Sequence, residues 1–301
     1  MNSSNEIYNK VHDHYGSLAR SAQPANSSAI AKAFGYSAHE LESITSDANL
    51  GVSCGNPLAI ASLTQGETVI DLGSGAGLDA LLASKKIGPT GHVFGIDMNK
   101  DMLARARKNQ AQTPEATNIS FIESKITSVP LEDDIADCII SNCVINLVPE
   151  SEKPTVFAEM GRLLKAGGRV AISDILARKP LTGELRDSVA LYVGCVAGAS
   201  MEGDYVRWLR KAGFDDITIV DARSDLNVYA DLAQGPKADI SGCCVPSAAT
   251  DSEGQEAAGG CCAPSNAVNA SERSAMVAGI ELKDIDVNEW AGSFKIFAVK
   301  K

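Results

Sequence analysis

The sequence predicts an α/β fold: a mostly parallel sheet of seven strands, helices on both faces, and a helical cap in front. Three observations carry this. Short apolar runs alternate with helical stretches from residue 66 onward. The runs are apolar throughout rather than at every second position, the pattern of strands covered on both faces. A glycine-rich loop joins the first run to the first helix of the series.

In chain order, residues 1–50 read as the cap. Ile7, Val11 and Tyr15 fall near one helical face, a second helix covers Ser28–Phe34, and Ser37 with Glu40 at capping-box spacing opens a third. The strand–helix series follows as strand Thr68–Leu72, helix Leu78–Lys86, strand Val93–Asp97, helix Lys100–Asn109, strand Ile119–Ile122 and strand Ala136–Ser141. Helix Glu152–Leu164, the turn Ala166-Gly167-Gly168 and strand Arg169–Asp174 complete it. Ile217–Val220 and Phe294–Val299 read as two late strands. Residues 235–274 hold no aromatic residue and, as aliphatic branched residues, only Ile240, Val245 and Val268, too little to pay for ordering, so a flexible insertion is expected there. The expected organisation is a cap over 1–50, a core over 51–178, a segment with a late strand over 179–230, the insertion over 235–274 and a final segment over 275–301.

Composition bounds the function. Lys and Arg total 27 against 38 Asp and Glu, a net charge of −11, which disfavours nucleic acid and anionic membranes as partners. No run of about 18 apolar residues occurs and the N-terminus lacks a secretory pattern, so no membrane contact and a cytoplasmic location are expected. Nothing in the sequence demands more than a monomer. Eight cysteines in such a chain point to metal binding or redox chemistry rather than a disulfide framework.

The loop Asp71-Leu72-Gly73-Ser74-Gly75-Ala76-Gly77 lies between a strand and a helix, where glycines let a ligand approach the backbone. Asp97 ends the next strand 20 residues beyond Gly77, placed to accept both hydroxyls of a ribose. A dinucleotide fingerprint wants a third glycine where Leu78 stands. The spacing found here, with Asp71 before it, resembles the first motif of the class I S-adenosylmethionine methyltransferases. That resemblance implies a Rossmann-like methyltransferase fold with S-adenosyl-L-methionine as cofactor. It implies that Asp71, Gly73, Ser74, Gly75 and Gly77 form the donor loop and that Met98 packs on the adenine. Lys125 and Ile126 then line the adenine pocket, and Asn142 lies beside the methionine portion. A bare glycine turn and a dinucleotide site are the alternatives.

Among the cysteines, Cys138 lies inside an apolar strand and reads as a buried, inert thiol. Cys143 stands just beyond the fourth strand, where ligands of open α/β sheets bind. Cys195 lies among small residues in Gly194-Cys195-Val196-Ala197-Gly198-Ala199, and Cys54 in Cys54-Gly55-Asn56-Pro57 before the first strand. These stretches, with Ser141-Asn142-Cys143-Val144-Ile145-Asn146-Leu147, the glycine loop and the ending Lys295-Ile296-Phe297-Ala298-Val299-Lys300, resemble those of arsenite methyltransferases. The resemblance covers most of residues 10–230 and the last strand. It implies methylation of arsenite and then methylarsenite in arsenic detoxification, with Cys54, Cys143 and Cys195 as the arsenic ligands. A thiol reductant, thioredoxin or glutathione, is implied with it. Animal and algal members often have a further cysteine upstream of the Cys54 position, which is absent here, and Thr127 stands where an acid often closes the third-strand motif.

The chemistry fits those residues. Trivalent arsenic is soft and prefers thiolate sulfur, and three thiolates leave it a lone pair able to attack a methyl carbon. A nearby sulfonium and helix N-termini are expected to lower the thiol pKa values. A preset attack geometry can contribute about 7–11 kcal/mol. The pairs Cys243-Cys244 and Cys261-Cys262 are further candidate arsenic ligands. Two other readings share these residues: a methyltransferase of a small organic acceptor, which the cysteine trio disfavours, and a non-catalytic metalloid binder, which the intact donor loop and Asp97 disfavour.

Overall fold

The computed structural model describes residues 3–187, 195–227, 276–277, 280–281 and 286–301. Its strands are β1 (Thr68–Leu72), β2 (His92–Asp97), β3 (Ile119–Glu123), β4 (Ala136–Asn142), β5 (Leu164–Ala177), β6 (Phe214–Asp221), the short β7 (Met276–Val277) and β8 (Ile280–Glu281), and β9 (Ala291–Lys300). Seven of them form one sheet in the order β3-β2-β1-β4-β5-β9-β6. Every pairing from β3 to β5 is parallel, and β9 runs antiparallel to both β5 and β6. The strand order reverses between β1 and β4, so the connections leaving these two strands diverge and open a crevice at their carboxyl ends.

Alternation along β4 shows how one apolar run serves two cores. Ile139 packs with β1 Ile70 and Leu72 against one set of helices, while Cys138 and Ile140 pack with Val69 and Leu81 on the other face. Helices α5 (Leu78–Ile87) and α6 (Lys100–Ala111) cover the second face; α7 (Lys153–Leu163) and α9 (Glu202–Lys211) cover the first, with Phe157, Tyr205 and Trp208 in ring contact. The short helix α8 (Gly183–Asp187) follows β5.

The cap consists of α1 (Ser4–Arg20), α2 (Ser27–Ala33) and α3 (Ala38–Glu42), followed by α4 (Leu58–Ala61). Capping boxes Ser3/Glu6 and Ser37/Glu40 start α1 and α3, the second as the spacing predicts. α1 lies against the start of α6, where Asn99 Nδ2 donates to the His12 carbonyl at 2.8 Å and Arg105 Nη1 to the Ala19 carbonyl at 3.0 Å. That contact holds α1 across the carboxyl ends of the strands. The expected turn Ala166–Gly168 is an irregularity within β5: the pairing jumps from Ala136–Leu164 to Cys138–Arg169, with Gly167 at φ +76°. The expected insertion at 235–274 lies outside the described residues.

Arg169 locks the segment between α4 and β1 to the sheet. Its guanidinium donates to both carboxylate oxygens of Glu67 at 2.9 Å and to the carbonyls of Ala61 and Ser62 at 2.5 and 3.0 Å. Removing it strands a mostly buried carboxylate and two carbonyls. Arg169→Met is expected to lower unfolding free energy by about 3 kcal/mol in a denaturant titration; a loss under about 1 kcal/mol would contradict this role.

Candidate active site

The crevice is a pocket built from the ends of β1, β2 and β4, the turn after β3, and α1. Asp71, Gly73, Ser74, Gly75, Asp97, Met98, Lys125, Ile126 and Asn142 all line it, so nine of the ten donor-site residues expected from the sequence come together. Gly77 does not line it. It caps α5 at φ +91°, and a Cβ there would stand 3.2 Å from Phe121, so its part is the packing of helix on strand. Gly73, at φ +77°, has its absent Cβ 2.5 Å from the Val144 side chain, which lets the donor loop and the loop after β4 touch.

The pocket is acidic and short of cations. Asp71 is buried, and its Oδ2 has no hydrogen-bond partner. Burial, reinforced by the Asp79 and Asp97 charges, holds its carboxyl well above the ordinary range. Burial pushes Asp79 up to about 6, against hydrogen bonds from Tyr36 and Asn142. Asp97 is also raised by burial, although its carboxylate accepts the Gly75 N–H at 2.9 Å and the Asn99 N–H at 2.8 Å. A dry cluster of carboxyls with an unpaired oxygen suits a ligand that brings positive charge. S-adenosylmethionine, with an ammonium and a sulfonium, meets that demand; Asp71 and Asp79 would face its amino-acid end and Asp97 its ribose.

Cys143 lines the pocket, and Cys54 and Cys195 stand beside it. The sulfurs of Cys54, Cys143 and Cys195 lie within 4.8 Å of one another and all three residues are buried. Two of them form a disulfide, Cys54–Cys143, with Cα atoms 5.8 Å apart. This corrects the expectation of three free thiols: the loops before β1 and after β4 approach to disulfide distance, so two sulfurs close enough to share one arsenic can also join each other. Cys195 is free, and its Sγ donates to the Cys143 carbonyl at 3.0 Å. Its thiol is raised, first by burial and then by the Asp174 charge, against a hydrogen bond from Tyr15 and the Lys153 charge. At Cys195 desolvation outweighs the Tyr15 hydrogen bond and the Lys153 charge. Cys138 is fully buried and pushed up to about 12, as an inert core thiol should be. Cys243, Cys244, Cys261 and Cys262 lie outside the described residues.

Both Cys143 and Cys195 adopt left-handed backbone, at φ +60° and +65°. Non-glycine residues rarely do so without being held. Cys143 is held by its N–H donating to the Ser173 carbonyl at 2.9 Å, and Cys54 by its N–H donating to Asn142 Oδ1 at 3.2 Å. Ser293 of β9 donates to the Cys54 carbonyl at 2.5 Å, which brings the last strand into the support of the site.

Several contributors escaped the sequence reading. Tyr8, Val11 and Tyr15 form one face of α1 and close the pocket; the helical periodicity was visible, the pocket was not. Tyr8 donates to Glu152 at 2.7 Å, and Lys125 Nζ sits 3.8 Å from its ring centre. Tyr36, between α2 and α3, donates its hydroxyl to Asp79 of α5 at 2.6 Å. An acid in the apolar start of α5, Leu78-Asp79-Ala80-Leu81, was the available signal for Asp79.

The comparisons agree with this geometry. Residues 63–213 match a family described as a methyltransferase domain. An arsenite methyltransferase of Halobacterium salinarum is 44% identical over 185 residues, covering 62% of this chain and 46% of that protein. One from Aquipseudomonas alcaligenes is 34% identical, covering 71% of this chain and 64% of that protein. The chain thus spans about half to two thirds of the length of these relatives. Among solved structures, an arsenic(III) S-adenosylmethionine methyltransferase from Chlamydomonas reinhardtii aligns over 93% of this chain and 75% of that one, with 25% identity and a TM-score of 0.55. A geranyl diphosphate C-methyltransferase from Streptomyces coelicolor, 12% identical with a TM-score of 0.60 over 98% of each chain, shares the fold. With half the chain matched by the family and the donor loop, acid and sheet order all in place, the protein belongs to the methyltransferase-domain family.

Proposed function

We propose that this chain methylates trivalent arsenic, arsenite and then methylarsenite, with S-adenosylmethionine as methyl donor, in arsenic detoxification. The observation that carries the proposal is the buried trio of cysteine sulfurs within 4.8 Å of one another beside an acidic pocket. Once reduced, Cys54, Cys143 and Cys195 can replace the three hydroxyls of arsenite, releasing three waters and leaving the arsenic lone pair unshared. Cys143 both lines the pocket and belongs to the trio, so it sets arsenic at the donor's methyl group. The bound donor supplies an electrophilic methyl carried on a sulfonium.

In the transfer the arsenic lone pair forms the As–C bond, and the C–S pair stays with the departing sulfur. Arsenic thereby rises formally from three to five. Returning it to three takes two electrons, the number released when two thiolates join as a disulfide. The Cys54–Cys143 bond is the form the chain would reach after that step. An external dithiol or thiol, of the thioredoxin or glutathione kind, then restores both cysteines. A reducing cytoplasm suits this cycle. A monomer suits the surface, because among the described residues only Val52 and Val220 are large exposed hydrophobics; no helix among those residues is long and apolar enough to cross a membrane.

The direct test incubates the protein with S-adenosylmethionine, a thiol reductant and arsenite, and separates arsenicals by chromatography. Methylated arsenicals are expected. Arsenite binding without turnover would contradict the proposal.

Three narrower outcomes follow. Asp97→Ala should weaken donor binding in calorimetry by about tenfold or more while arsenite binding stays near that of the parent; unchanged donor affinity would remove Asp97 from the site. Donor affinity should also fall as pH drops below 6, by about tenfold per unit, because Asp79, pushed up to about 6 by burial, must ionise to receive a cation. Asp79→Asn should flatten that dependence. Methylarsenite has two exchangeable positions rather than three, so two thiols suffice for it. Cys54→Ser should therefore lose methylation of arsenite yet keep that of methylarsenite, while Cys143→Ser and Cys195→Ser lose both. A Cys54→Ser enzyme that fails on both or works on both would break this division.

A further inference from the structure

A buried polar cluster lies directly behind Cys195 and takes no part in the chemistry above. Asn146 follows Cys143 by three residues, in the short 3₁₀ turn Ile145–Leu147. Its Nδ2 lies 3.1 Å from the Cys195 carbonyl, 2.9 Å from Asp174 Oδ1 and 2.6 Å from the Ile175 carbonyl. Asp174, fully buried near the carboxyl end of β5, accepts the Tyr205 hydroxyl through its other oxygen at 2.8 Å. Lys153, 1% exposed at the start of α7, donates to Ser200 Oγ at 2.8 Å, to Glu150 at 2.9 Å and to the Gly198 carbonyl.

These bonds converge on one loop. Described from Cys195 to Ser200, it reads Cys-Val-Ala-Gly-Ala-Ser, and its Cys195, Val196, Ala197 and Ala199 are buried in one apolar cluster with Cys54 and Cys143. It lies so close to Asn146 that a Cβ on Gly198 would stand 1.9 Å from the Asn146 carbonyl oxygen. Within it Cys195 keeps its left-handed φ of +65°, a conformation that persists only when the surroundings impose it. Buried charges such as Lys153 and Asp174 are poor sources of stability compared with apolar side chains of similar volume, and their best-attested value is in specifying one arrangement. What this cluster specifies is where the Cys195 backbone sits relative to Cys143, because the amide of Asn146 bridges the two loops.

We propose that Asn146, Asp174 and Lys153 are positioning residues that hold the Cys195 loop against the Cys143 loop, and thereby decide whether arsenic receives its third sulfur. This rests on the three-thiol reading of the site. It predicts that weakening the cluster leaves the donor pocket intact and detaches one ligand only.

The test uses the full-length chain with Cys243, Cys244, Cys261 and Cys262 changed to Ser, reduced with a phosphine and loaded with one equivalent of arsenite. Arsenic K-edge X-ray absorption counts sulfur neighbours, and calorimetry reads S-adenosylmethionine affinity in the same samples. The parent should show three As–S bonds. Asn146→Ala and Lys153→Met should each show two As–S bonds and one As–O bond, with donor affinity within about twofold of the parent. Three sulfurs in both variants would overturn the proposal. So would loss of donor binding in both, since the cluster would then support the fold at large and not one thiol. Fewer than three sulfurs in the parent would remove the three-thiol reading itself and this inference with it.

Discussion

One side-chain amide joins the parts of this site. Asn142, at the last position of β4, accepts the Cys54 N–H through Oδ1 at 3.2 Å, and its Nδ2 lies 2.9 Å from the Gly55 carbonyl, 2.9 Å from the Tyr36 hydroxyl and 3.1 Å from Asp79. The cap, the donor loop's helix and the first cysteine loop therefore all meet on the strand that also delivers Cys143. Strand β4 can play this part because it is the neighbour of β1 at the point where the strand order reverses, so its end faces an open crevice instead of another helix connection. Neutral hydrogen bonds such as those to Cys54 and Gly55 contribute about 0.5–1.5 kcal/mol each, and here they tie the first cysteine loop to β4.

The electrostatics divide the crevice into two chemistries. At the β1–β2 side, buried carboxyls raised by desolvation await positive charge. At the β4–β5 side, sulfur takes over, and burial favours the neutral form of the Cys195 thiol. The two meet at Cys143. Three sulfurs this close have two competing ways to be satisfied: together around one arsenic, or as a disulfide with one thiol left over. The second is the arrangement in the structure. On the proposed reading, the alternation between these arrangements is the working cycle, and the residue that never enters the disulfide, Cys195, is the one clamped by the polar cluster at Asn146.

Much of this was legible in the sequence because it depends on local pattern. Apolar runs such as Thr68–Leu72 and Ala136–Asn142 announce buried parallel strands, and the loop from Asp71 to Gly77 declares itself by position between strand and helix. Ser37 and Glu40 mark a helix start at a spacing of three. What stayed hidden depends on contacts between distant positions. Tyr36 and Asp79 are 43 residues apart, and Asn146 and Cys195 are 49 apart; neither pair leaves a periodic trace. The disulfide was hidden for a different reason. Cys54 and Cys143 could be singled out as candidate ligands through the resemblance of their loops to those of arsenite methyltransferases, but the approach of the two loops to a Cα distance of 5.8 Å, across 89 residues, is a property of the packed sheet.

The central claim is that one arsenic atom and the Cys54–Cys143 disulfide compete for the same sulfurs. The most direct measurement poises the protein, with its four tail cysteines changed to Ser, across a series of thiol–disulfide buffers. Mass spectrometry then gives the fraction of Cys54–Cys143 disulfide, and equilibrium dialysis gives the arsenite bound to each sample. Bound arsenite should fall in proportion to the disulfide fraction and vanish when that fraction reaches one. Stoichiometric arsenite binding by protein in which the disulfide is intact would contradict the account.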